Sequence, residues 1–156
     1  MNILIVSRTP WNRNNSFGNT FCNLFEGMED VNVYSLCCQA GATNVDFIKA
    51  CLQFDDHSVL RSVLGKDAGR MVELGSNAIE RNAPDSKKRS IRRNTLTLMC
   101  RDVIWNIGRW KHSAALKSFL QNVRPDVIYL PMYASWYMCD VQSYIMEYYK
   151  YTPVVR

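Results

Sequence analysis

After Met1 and the polar Asn2 come four consecutive apolar residues, Ile3, Leu4, Ile5 and Val6. A short continuous apolar run bounded by polar positions marks a strand buried on both faces, so residues 2–7 are predicted as a strand. Residues 8–17 are polar and turn-rich. Phe17, Phe21, Leu24, Phe25 and Met28 then recur at helical spacing, which predicts a helix over 18–28. Residues 31–36 read as a second strand, 39–46 as a loop and 50–54 as a short third strand. Asp56 is placed to cap a helix carrying Val59, Leu60, Val63 and Leu64, stopped by Gly65. Residues 65–86, with Gly65, Gly69, Gly75, Pro84 and Asp85, show no period and predict irregular structure.

A long helix is predicted over 88–110, with its packing stripe formed by Leu96, Met99, Val103, Ile107 and Trp110. A further helix over 113–123 shows Leu116, Phe119, Leu120 and Val123 and ends before Pro125. Residues 126–130 are a clear buried strand. Tyr137, Val141, Tyr144, Ile145 and Tyr148 mark a helix over 135–150, and Pro153, Val154 and Val155 begin another strand. Alternating helices with strands buried on both faces predict an α/β fold, a Rossmann-like doubly wound parallel sheet with right-handed crossovers. The last residues look like the start of an element and would leave a sheet edge bare. The expectation is a single domain over 1–156, truncated at its carboxyl end, with an edge strand that simply ends the protein as the alternative. A bare edge also favours pairing with a second copy.

Composition narrows the classes. A chain of 156 residues fits one domain, and 47% hydrophobic with 21% charged residues excludes a disordered chain. A domain of this size buries about two-thirds of its unfolded surface, so no disulfide or metal is needed to hold a core. No apolar run approaches the roughly 20 residues of a membrane span, and the amino terminus lacks a basic leader. A cytoplasmic protein is expected, at most peripheral on the inner face of the cell membrane. The six cysteines (Cys22, Cys37, Cys38, Cys51, Cys100 and Cys139) include no CxxC pair, and His57 and His112 lie far apart. Reduced thiols acting as small apolar groups are expected, and no metal.

In an open α/β sheet, ligands bind beyond the carboxyl ends of the strands. The loop after the first strand is long and holds Arg8, Arg13, Asn12, Asn14, Asn15, Ser16 and Gly18 just before a helix. Free N–H groups at a helix start suit an anion, Gly18 would admit a phosphate close to the backbone, and an arginine would add charge-assisted bonds. A capped surface loop with Ser16 as the N-cap is the alternative. GxGxxG, GxxxxGK[ST] and GxSxG are all absent. After the fourth strand, Tyr133, Ser135 and Trp136 combine an aromatic platform with a hydroxyl, which suits a sugar ring. The alternative makes Ser135 a helix cap and Trp136 a packing residue. Lys87, Lys88, Arg89, Arg92 and Arg93 concentrate positive charge at a helix start, against the dipole. With Trp105 and Trp110 beyond, the run suits an anionic membrane surface. No nucleic-acid module accompanies it, so nucleic acid is not expected as a partner.

The stretch from Met1 to Asn12, followed by Asn15, Ser16, Phe17, Gly18, Asn19, Thr20 and Phe21, resembles the amino terminus of bacterial GT-B type glycosyltransferases. The likeness is to the family-4 retaining enzymes of capsular and surface polysaccharide synthesis. Gln39, Ala40 and Gly41, and the run from Arg124 to Tyr129, fit the same pattern. The resemblance implies half of a two-domain architecture. Its amino-terminal Rossmann-like domain receives a saccharide or lipid-linked acceptor, and a carboxyl-terminal one grips the nucleotide-sugar donor. It further implies that Arg8, Ser16, Phe17, Gly18 and Asn19 approach the donor diphosphate and that Tyr133, Ser135 and Trp136 line the acceptor side. It implies no metal and no cofactor beyond the nucleotide-sugar co-substrate, and little or no activity for this half alone. Where many relatives carry a histidine, this chain has Met132, Tyr133 and Ala134, so no catalytic residue is assigned. Two readings from other classes compete. One is a non-catalytic module docking on a membrane or protein through the basic run. The other is a receiver domain phosphorylated at Asp55 or Asp56.

Overall fold

The opening apolar run becomes β1 (Asn2–Ser7), an inner strand of a six-stranded, mostly parallel sheet in a computed structural model of the protein. The structure describes residues 1–13, 16–41, 43–72 and 95–156. The other strands are β2 (Asn32–Cys37), β3 (Ile48–Gln53), β4 (Arg70–Val72), β5 (Val127–Tyr129) and β6 (Val154–Val155). The helices are α1 (Ser16–Phe25), α2 (Asp56–Ser62), α3 (Thr95–Ile107), α4 (Ala114–Val123) and α5 (Trp136–Tyr148). A short 3-10 turn, Trp110–His112, joins α3 to α4. The strand order is β4-β3-β2-β1-β5-β6, an order compatible with a Rossmann-like sheet.

Strand side chains alternate between two cores. Ile3, Ile5, Val33, Cys37 and Cys51 face one side, covered by Trp11 and by Phe21, Cys22 and Phe25 of α1. Leu4, Val6, Leu36, Leu52 and Ile128 face the other, beneath Val59 of α2, Trp105 of α3, Leu116 and Leu120 of α4, and Tyr137 and Ile145 of α5. Burying each such side chain contributes about 1.5–3 kcal/mol, which is why the central strands carry no polar alternation. All six cysteines are free, and Cys22, Cys37, Cys38 and Cys51 are buried. Burial pushes the Cys38 thiol well above its ordinary range.

Four expectations need correction. The sheet is not wholly parallel: β4 pairs with β3 antiparallel, with Gln53 opposite Arg70 and Cys51 opposite Val72. It falls within the stretch expected to be irregular, because three residues are too few to show a period. Gly69, at φ 83°, reverses the chain just before it. Asp56 does not cap α2. Asp55 does, its carboxylate accepting from the Ser58 N–H at 2.6 Å while Ser58 Oγ accepts from the Asp55 N–H at 3.2 Å. Helix α3 does not pack through the predicted stripe: Met99, Val103 and Ile107 are exposed, while Trp105 is buried. The large indole fixes which face turns inward, and the aliphatic stripe follows it outward. Trp105 and Trp110 are core residues, as the packing role expected of Trp110 requires and the membrane-facing role does not: Trp105 lies tilted against Tyr137 at 4.9 Å and Trp110 meets Tyr144 edge-on at 5.4 Å. No helix among the described residues is long and apolar enough to cross a membrane.

Candidate functional site

The loops that leave the carboxyl ends of neighbouring strands β1 and β5 meet at the rim of the sheet. Ser7 is buried and its hydroxyl donates to the Thr9 carbonyl at 2.9 Å, turning the chain as it leaves β1. The next residue, Arg8, donates its backbone N–H to the Tyr133 hydroxyl oxygen at 3.0 Å. This bond ties the two loops across 125 residues of sequence. Burial pushes the Tyr133 phenol above its ordinary range, partly opposed by the Arg8 N–H, so its own proton stays in place near neutral pH. Around the bond opens a cavity of about 260 Å³ lined by Arg8, Leu98, Arg101, Asp102, Tyr133 and Ser135.

Helix α3 builds the opposite wall. Arg101 Nε meets Asp56 Oδ2 at 2.9 Å, and the Trp105 indole N–H donates to Asp56 Oδ1 at 2.8 Å. The guanidinium also sits 5.7 Å from the centre of the Tyr137 ring, within cation–π range. Asp102 accepts the Tyr137 backbone N–H at 3.2 Å and thereby caps α5. Ser135 holds the N-cap position with extended backbone, yet its hydroxyl makes no capping bond. That hydroxyl oxygen is buried without a partner, a state that costs about 1–3 kcal/mol. Tyr137 is buried and its phenol is pushed up to about 12, chiefly by desolvation. Among the described residues Arg8 forms no ion pair, whereas Arg101 is held by Asp56.

The predicted site residues divide into groups. Arg8, Tyr133 and Ser135, named from two separate loops, come together in this one cavity. Ser16 is the exposed first residue of α1 and Asn19 is exposed one turn on. Phe17 packs on Phe21 at 4.4 Å and on Trp11 at 6.4 Å. Gly18 is buried against its own loop, where an added Cβ would lie 2.2 Å from the Asn12 carbonyl oxygen. None of these four lines the Arg8 cavity. Trp11 drives this arrangement: it is fully buried among Phe17, Phe21, Phe25 and Phe47 and draws the loop inward. Arg13 is gripped by Glu26 through both of its terminal nitrogens, which holds the Glu26 carboxyl below its ordinary range.

Trp136 is 82% exposed, so it is not a packing residue, and it lines a neighbouring groove and not the Arg8 cavity. Asp55 and Asp56 are engaged by Ser58 and by Arg101 with Trp105, respectively. Lys87, Lys88, Arg89, Arg92 and Arg93 lie outside the described residues. Arg101, Asp102 and Tyr137 are the site residues that sequence reading missed. Arg101 and Asp102 occupy polar gaps in the apolar stripe, positions that read as solvent-facing until Trp105 sets the helix rotation. Among the described residues no group of three His, Cys, Asp or Glu side chains is placed to hold a metal ion. Compared with family models, curated proteins and solved structures, the chain matches none.

Proposed function

We propose that the chain is the acceptor-side domain of a GT-B type glycosyltransferase. Such an enzyme moves a sugar from a nucleotide-sugar to a saccharide or lipid-linked acceptor in surface polysaccharide synthesis. In this reading the sheet is the Rossmann-like doubly wound half of a two-domain enzyme, and a second Rossmann-like domain holds most of the donor. One observation carries it: the bridged crevice between the β1 and β5 loops, where Arg8 has no carboxylate partner among the described residues and the Ser135 hydroxyl has no bond. A crevice at the carboxyl ends of adjacent strands is where such sheets bind ligands.

The chemistry follows from charge. When an acceptor hydroxyl displaces the diphosphate at the anomeric carbon, the carbon–oxygen bond to the leaving group breaks and negative charge builds on the diphosphate. A fixed guanidinium beside that group stabilises the transition state more than the ground state. Arg8 takes this role, with the Tyr133 and Ser135 hydroxyls as neutral donors. Ser16, Phe17, Gly18 and Asn19 shape the loop that carries Arg8. No metal is required, and activity of this half alone is expected to be slight.

Calorimetric titration of the chain with inorganic pyrophosphate and with UDP tests the reading. Binding near the millimolar range is expected, equivalent to about 4 kcal/mol, and Arg8→Ala should weaken it roughly tenfold. Absence of binding by both probes, or unchanged affinity in Arg8→Ala, would refute it.

A further inference from the structure

Beside the Arg8 cavity, and sharing Asp102 and Tyr137 with it, a second groove of about 320 Å³ runs between α3 and α5. Val103, Trp105, Asn106, Trp136 and Asp140 complete its lining. We propose that this groove is a subsite for one neutral pyranose ring of the acceptor, seated face-on against Trp136. The inference rests on the acceptor-side reading above and names what that side takes.

The argument begins with the indole. Trp136 leaves 82% of its surface in water although it borders a formed concavity. An exposed aromatic plane beside hydrogen-bonding groups matches the two characters of a pyranose, an apolar C–H face and a rim of hydroxyls. The groove's volume falls at the small end of the range for small-molecule sites, roughly 300–1,000 Å³, which suits a single ring.

The carboxylates decide between a sugar and a cation. Asp140 is already paired with Lys111 Nζ at 2.8 Å, and Lys111 lies 5.2 Å from the centre of the Trp110 ring. Asp102 accepts the Tyr137 N–H at the start of α5. The Asp140 charge is paired within the protein, and the Asp102 charge is partly offset by the positive amino-terminal end of α5, which lowers the gain a cationic ligand would make. Each bond nonetheless uses one oxygen of its carboxylate, and the other remains a strong acceptor for a hydroxyl. Asn106 supplies both a donor and an acceptor. Because Asp102 borders both cavities, a ring in this groove would stand next to the crevice assigned to the departing diphosphate.

Saturation-transfer NMR and tryptophan fluorescence test the proposal. The probes are the methyl pyranosides of glucose, galactose, mannose and N-acetylglucosamine, with choline as a cationic control. At least one pyranoside should bind, with the strongest transfer to protons on its apolar face. Trp136→Ala should weaken that binding at least about tenfold and Asn106→Ala severalfold. Trp136 is exposed, so its removal should leave the circular dichroism and melting temperature unchanged and the variant folded. Binding of choline without any pyranoside, or equal sugar binding by Trp136→Ala, would overturn the proposal, as would no pyranoside binding at about 20 mM. Sugar binding without pyrophosphate binding would leave this groove standing and remove the diphosphate crevice; the reverse outcome would remove this groove alone.

Discussion

Replacing Gly18 by alanine separates two explanations for a glycine in the first turn of α1. If the glycine exists to admit a ligand, Gly18→Ala should stabilise the free protein, because alanine is better than glycine in a helix by about 1 kcal/mol. The structure predicts the opposite. The new Cβ would stand 2.2 Å from the Asn12 oxygen, 2.4 Å from its nitrogen and 2.7 Å from its carbonyl carbon. Observed Cβ contacts essentially never fall below 3.0 Å, so the Asn12 backbone must retreat by roughly 1 Å. That backbone is not a loose neighbour, since Trp11 beside it is fully buried in contact with four aromatic rings. Overpacking of this kind costs about 1–3 kcal/mol, and more where the displaced segment anchors a core side chain. The anchored segment puts the cost at about 2–3 kcal/mol, so setting the helix gain against it leaves a net loss of about 1–2 kcal/mol. The melting temperature of a domain this size should fall by about 2–8 °C. Urea unfolding followed by tryptophan fluorescence and circular dichroism should show a lower midpoint at unchanged slope. A variant as stable as the parent, or more so, would refute the packing account and return Gly18 to a ligand role.

Two further outcomes follow from side chains around the crevice. Asp56→Ala removes the acceptor of the buried Trp105 indole N–H along with the Arg101 pair, and the orphaned donor should cost about 1–2 kcal/mol in urea unfolding. A loss below about 0.5 kcal/mol would show that the indole finds water instead. Alkaline pH should also destabilise the fold: the buried Tyr137 phenol ionises at about 12 when folded, against an ordinary 10 in the unfolded chain. A raised folded pKa means that this stabilisation is complete below about pH 10 and disappears as pH climbs towards 12, a change of about 2–3 kcal/mol for this residue. Tyr133, Tyr144 and Tyr149 shift in the same direction. Phenolate absorbance titrating at pH 10 for all eight tyrosines, with no fall in the urea midpoint by pH 11.5, would contradict it.

The run Ile3, Leu4, Ile5 and Val6 could only be a strand covered on both faces, and it became one beside β2 and β5. The alternation of such runs with helical periods carried the α/β class, and the polar loops beyond the strand ends pointed to Arg8, Tyr133 and Ser135. Local rules reached that far because a strand covered on both faces and an amphipathic helix each write their burial into neighbouring positions. Where two candidate faces competed on one helix, the sequence offered no rule. The aliphatic stripe of α3 is more regular than the face holding Arg101, Asp102 and Trp105. The latter turned inward because Asp56 of α2 receives both the Trp105 and the Arg101 side chains and the Tyr137 N–H in the first turn of α5 donates to Asp102. Those partners are 35 to 49 residues away, beyond any window a periodicity can see. The same holds for Gly18. Its position before a helix suggests anion binding by composition, while the approach of the Asn12 backbone, set by the burial of Trp11, gives the glycine an internal reason that only the tertiary structure supplies. Chain order determined which residues stand at the rim of the sheet; packing between distant segments decided which of them share a cavity.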